Sequence, residues 1–216
     1  MSDLTGPLDP HALAEGLRIY KILADGLKIT HVPMHWSVEG YGACDGAYNI
    51  VISLDEPPDK WIAHIATDLA LNARQIQDGG TYAAHTYLRN SFGCGVASNG
   101  MVGATPENFG AQPVQMHECE VMLAVVAAVA VKYRVDTHAT VDGAPAIGTH
   151  AEYAIADGYY IDTQDPSPRW DWARLRGAPG SPSRAEATAT GTLMRKRVAQ
   201  YKTAISQSLA YPQPVK

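Results

Sequence analysis

The chain has 216 residues, 46% apolar and 18% charged, with a net charge of −5, which excludes a disordered polymer and a basic nucleic-acid-binding surface. Three cysteines, Cys44, Cys94 and Cys119, lack C-x-x-C spacing, which argues against a disulfide framework and reads as reduced, mostly buried thiols of a protein folded in the cytoplasm. The opening MSDLTGPLDPHALAEG lacks a basic start and an apolar core, so synthesis without a signal peptide is expected; the apolar run Val121 to Val131 falls short of the roughly 20 residues of a membrane span, so no membrane insertion is expected either.

Asp9-Pro10 opens a predicted helix that runs to Ala24, with Leu13, Leu17, Tyr20, Ile22 and Leu23 on its apolar side and Gly26 as its stop. Leu27 to Met34 reads as a strand that Pro33 shortens or places at an edge. His35-Trp36-Ser37 stands where that strand ends, a rigid place from which to aim a ligand. Ala47 to Leu54 alternates as a strand. Trp61, Ile62, Ile65 and Leu69 fall at helical offsets and predict a helix over Trp61 to Leu71. Thr81 to His85 and Phe92 to Ala97 read as short strands around the corner Arg89-Asn90-Ser91.

Gln112 to Tyr133 is the strongest predicted helix, apolar on most faces in its second half and therefore buried. Asp142-Gly143 is a turn. Ala185 to Leu209 is a second long helix after a Gly/Pro/Ser linker, and Arg195-Lys196-Arg197 on it reads as a solvated face or a contact to an anionic wall. The expected fold class is α/β: a mixed central β-sheet flanked by helices. The expected domains are a helical extension over 1–26, a catalytic domain over 27–176, and a linker and helix over 177–216 that pack on it.

The stretch Thr149 to Trp172, THAEYAIADGYYIDTQDPSPRWDW, holds the chemistry. His150 offers an imidazole and Asp165 a carboxylate, both good zinc ligands, and a catalytic zinc usually takes three protein ligands plus water. His35 is the candidate third. His31 lies on the same face of its strand four residues earlier; His35 ranks above it because it precedes the small polar stretch. Trp170 and Trp172 read as packing for the last motif or as a sugar groove, and Asp171 as a helix cap rather than a ligand.

These pieces follow one order. MHWS carries His35, YNIVI carries Tyr48, AAHTYLRNSFGCGVA carries His85, Asn90 and Ser91, GTHAEYA carries His150, and DPSPRWDW carries Asp165. In that order the chain resembles the type 2 zinc-dependent N-acetylmuramoyl-L-alanine amidases, the family of phage amidase-type lysozymes and peptidoglycan recognition proteins. The resemblance spans Leu27 to Leu175. It implies the fold of those amidases and a Zn2+ held by His35, His150 and Asp165.

It further implies Tyr48 beside the metal, orienting water or donating to the tetrahedral intermediate, and Thr163 as an oxyanion donor where many members carry Lys. Glu152 would be a general base or a partner of the ligands, while His85, Asn90 and Trp36 would contact substrate. The gap between His150 and Asp165 is longer than is usual in the family, which implies an insertion near the site. The implied activity is hydrolysis of the amide between N-acetylmuramic acid and L-alanine, by a monomeric endolysin released to the cell wall by a holin or similar machinery. The alternatives are a non-catalytic muropeptide-binding module of the same fold and a zinc hydrolase of another amide.

Overall fold

Asp9 starts the first helix as its sequence implies. Its Oδ1 accepts from the backbone N–H groups of His11 (2.8 Å) and Ala12 (3.1 Å), and Pro10 occupies the first turn of α1 (Pro10–Ile22), where a missing N–H costs nothing. The computed structural model that supplies these distances describes residues 4–55, 60–77, 80–160 and 170–211. Thr163 and Asp165 lie outside the described residues.

The architecture is mixed α/β, a mostly parallel central sheet with helices around it. The sheet runs β3 (Lys60–Ile65), β2 (Ile50–Asp55), β4 (Val96–Ser98), β1 (Val32–Trp36), β7 (Ile147–Thr149). Its β2–β3 pair is antiparallel, and its other pairs are parallel. A small hairpin of β5 (Thr140–Val141) and β6 (Ala144–Pro145) turns at Asp142-Gly143, both with positive φ (49° and 79°), the backbone that tight hairpins need.

Helix α2 (Met116–Tyr133) is buried at every position from Glu118 to Ala130, as a helix apolar on most faces must be. It lies against β1 to β4, with α1 and α4 (Arg184–Ala210) packed on it. Gly16 permits the α1 approach, because a Cβ there would stand 2.8 Å from the Ala124 carbonyl oxygen. Among the described residues, no helix is long and apolar enough to cross a membrane.

Several expectations are corrected. The segment expected to be a helix over Trp61 to Leu71 is β3 followed by a 3-10 turn, Leu69–Leu71. Trp61 and Ala63 are buried while Ile62 and His64 are half-buried, so both faces carry apolar side chains and the period of two is masked. Thr81 to His85 is not a strand. Pro33 lies in an interior strand, not at an edge. It pairs with Gly148 of β7, and the β4 register begins only at Met34, so no named β4 pair lacks its N–H.

The Arg195–Arg197 run is not one solvated patch, since of its three cations only Lys196 is exposed. Arg197 is buried and gives bonds of 2.7–3.0 Å to Glu120, which also accepts from Tyr201 Oη at 2.7 Å. Arg197 also donates to the carbonyls of Gly6 and Pro7, both at 2.8 Å. Arg195 pairs with Glu152 at 2.6 Å. Both cations therefore tie α4 to the body of the fold.

Candidate metal centre

His35 is the fourth residue of β1, fully buried in the strand rather than just beyond it. Its neighbour in register is Ala97 of β4, whose small side chain crowds it little. Its Nε2 lies 2.9 Å from Thr86 Oγ1, and its Nδ1 lies 3.3 Å from Asp171 Oδ2. His31 takes no part in the group. It is buried with Nδ1 on Thr30 Oγ1 and Nε2 on the Arg89 carbonyl. The four residue steps from His31 to His35 span about 13 Å of extended chain at ~3.3 Å each.

His150 opens α3 (His150–Ala156) directly after β7. Thr149 caps that helix in a reciprocal box with Glu152, and the strand-to-helix corner throws the imidazole toward β1. His150 Nδ1 lies 3.2 Å from Asp171 Oδ2, and the His35 and His150 rings meet edge to face at 4.5 Å.

Asp171 comes from the W-D-W run. Trp170 and Trp172 pack on Trp36, with ring centres 4.9 and 5.4 Å apart, so the expected packing role of both tryptophans holds. Trp172 sits in the left-handed region at φ 58°, and the Asp171 carbonyl accepts from Ala151 N at 3.2 Å. The turn thus fixes Asp171 against the start of α3. One atom each from His35, His150 and Asp171 lie within 4.8 Å of one another. Asp171, read from sequence as a cap, is the carboxylate that completes the group among the described residues.

This donor set fits a divalent metal. Two imidazoles and one carboxylate leave room for water on a tetrahedral ion. The Thr86 hydroxyl on His35 Nε2 is the outer partner that ligating histidines carry. Burial pushes the Asp171 carboxyl upward, but the His150 and His35 imidazoles outweigh it and hold the group well below the ordinary carboxylate range. The third donor is therefore an anion. His85 is driven the opposite way, since burial and the neighbouring His35 hold its pKa well below 6.5.

A cleft of about 220 Å³ reaches the group, lined by Trp36, Val38, Ala47, Tyr48, Ala84, His85, His150 and Asp171. Tyr48 stands in it with its ring 5.2 Å from that of His35, its hydroxyl donating to the Trp36 carbonyl at 3.5 Å. Its segment is a turn just before β2, not the strand expected.

Two expected site residues belong elsewhere. Glu152 accepts from Thr149 N and Arg195, and a Cβ on Gly191 of α4 would overlap its carboxylate; this side chain is a helix-capping group against α4, not a free base. Asn90 is committed to its own corner, accepting from Thr86 N at 2.9 Å while its carbonyl takes Asn72 Nδ2 at 3.0 Å. Its role is to hold the loop that carries His85 and Thr86. Thr86 went unnoticed in the sequence, and its one signal was a hydroxyl directly after a histidine.

No family model matches the chain, and neither does any curated protein or solved structure.

Proposed function

We propose that the chain is a zinc-dependent N-acetylmuramoyl-L-alanine amidase that cleaves peptidoglycan, with the fold of the type 2 amidases and the biology of an endolysin. The single observation that carries this reading is the meeting of His35, His150 and Asp171 within 4.8 Å at the end of a cleft that Tyr48 also lines. The first two of those residues, and Tyr48, come from the motif order that resembles the family.

In this reading His35, His150 and Asp171 hold the ion. Bound zinc supplies a Lewis acid and lowers the pKa of its water toward about 7. The chain supplies the rest. Asp171 carries the one negative charge of the ligand set, so the site keeps net positive charge for a developing oxyanion. Tyr48 brings a phenolic donor to the same space. Trp36, packed in the aromatic cluster with Trp170 and Trp172, also lines the cleft.

The experiment is digestion of purified peptidoglycan by the zinc-loaded protein. Release of free L-alanine amino termini, without new reducing sugar ends, is the expected result. Retention of the chain on peptidoglycan with no release would replace the enzyme by a muropeptide-binding module. Neither binding nor release would remove the wall from the account.

A further inference from the structure

Helix α4 grips both of the short segments that carry His150 and Asp171. Arg195 Nη1 donates to Glu152 Oε2 at 2.6 Å and to the Ile147 carbonyl at 3.2 Å. The same Glu152 oxygen accepts from Thr149 N at 3.1 Å. One guanidinium thus holds the strand-to-helix corner from both sides: the β7 backbone before His150, and the capping carboxylate after it. Gly191 lets the helix come this close, because a Cβ there would stand 2.0 Å from Glu152 Oε2.

The Asp171 turn is tied to the same helix. Thr190 is buried, and its Oγ1 donates to the Ala173 carbonyl at 3.1 Å. Ala173 N donates in turn to the Trp170 carbonyl at 2.8 Å, which closes the chain around Asp171 and Trp172. Arg174, the next residue, is buried and pairs with Glu186 of α4 at 2.9 Å. Two ligands from different segments of the chain therefore share one support.

We infer that Thr190 and Arg195 are positioning residues of the metal centre: Arg195 acts on His150 through Glu152, and Thr190 acts on Asp171 through Ala173. The inference rests on the zinc reading of the site. Zinc takes nitrogen and oxygen donors at about 2.0–2.2 Å, and such a constellation tolerates displacements of only about 0.5 Å. Without its guanidinium partner the buried Glu152 charge is uncompensated. The carboxylate then turns to water, releases Thr149 N, and His150 loses the cap that fixes its angle. Without the Thr190 hydroxyl the Ala173 carbonyl loses its tie to α4, and the turn that presents Asp171 loosens.

The test is titration of the chelator-treated protein with zinc chloride and with cobalt chloride, read as affinity and as the visible ligand-field spectrum of the cobalt form. Arg195→Met and Thr190→Val should each bind zinc about 10- to 100-fold more weakly and change the cobalt bands. Arg195→Lys, which keeps a cation for Glu152, should recover most of the affinity. Tyr201→Phe loosens the same helix elsewhere, by removing the 2.7 Å bond to Glu120, and should bind both ions as the wild type does. If Arg195→Met fails to fold, Thr190→Val against Tyr201→Phe decides the matter. Wild-type affinity and spectrum in Arg195→Met or Thr190→Val, or an equal loss in Tyr201→Phe, overturns the positioning role and leaves the zinc site standing. A wild type that binds neither ion overturns the zinc site and this role with it.

Discussion

Asp171 and His35 are 136 positions apart in the chain, yet the carboxylate Oδ2 stands 3.3 Å from the imidazole Nδ1. The same oxygen lies 3.2 Å from His150 Nδ1, so one buried carboxylate gathers both histidines. That arrangement is costly unless the charge is paired. It has a measurable acid signature in the chelator-treated protein. The Asp171 carboxyl is held below its ordinary value of 3.8. A depressed carboxyl contributes stability that is complete above the unfolded pKa and drains away as pH falls below it. The stability lead of wild type over Asp171→Asn should therefore shrink steadily below pH 3.8 in urea unfolding series. A lead independent of pH would show that Asp171 is not paired as described.

Glu118 has the reverse sign. Burial pushes its carboxyl well above 4.5, against the lowering effect of the Gln115 and Asn99 backbone groups, and its Oε1 has no partner among the described residues. A raised carboxyl contributes stability that is complete below the unfolded pKa and is lost as pH rises through the folded one. Glu118→Gln keeps an acceptor for Gln115 N and removes the ionisation. Its Tm should exceed that of wild type at alkaline pH, with the gap narrowing toward pH 4.5. Thermal melts across that range check the sign, and a gap that widens in acid would refute it.

Gly95 is the floor under His85. The Cβ of an alanine would fall 2.4 Å from His85 Cγ and 2.6 Å from Cδ2. The imidazole must then move, and Thr86 loses one of its two ring partners. Gly95→Ala is expected to destabilise the fold by about 1–3 kcal/mol, the usual cost of overpacking. Denaturant titration measures it, and a neutral result would show that His85 is not pressed on the strand.

Tyr48→Phe removes a hydroxyl and little else. Zinc content should be unchanged, since Tyr48 supplies no atom to the metal group. Peptidoglycan turnover should fall about 100-fold, as when one preorganised donor is removed from a transition state. Full turnover would remove Tyr48 from the chemistry.

Much of this fold is legible in the sequence where local signals and burial agree. Asp9-Pro10 announces α1, and the apolar run after Gln115 announces α2. Arg184–Ala210 is a helix as the pattern from Ala185 implies. β3 misleads because Trp61, Ile62, Ile65 and Leu69 satisfy a helical spacing while the strand carries apolar groups on both faces. At the site, His35 and His150 are legible through their place in an ordered set of motifs, not through any periodicity. Asp171 is hidden by its two tryptophans, which look like packing and are packing. The carboxylate between them meets His35 and His150 instead. Thr86 is hidden more completely, because a loop hydroxyl acquires meaning only when the distant His35 ring arrives beside it.

The most direct measurement of the central claim is zinc stoichiometry by equilibrium dialysis and elemental analysis. It is made on the wild type, on His35→Ala, His150→Ala and Asp171→Ala, and on Asp165→Ala for comparison. One zinc per wild-type chain, lost in each of the three variants of the meeting side chains, is the predicted result. Wild-type protein without zinc, or full zinc retained in Asp171→Ala and lost in Asp165→Ala, would contradict it.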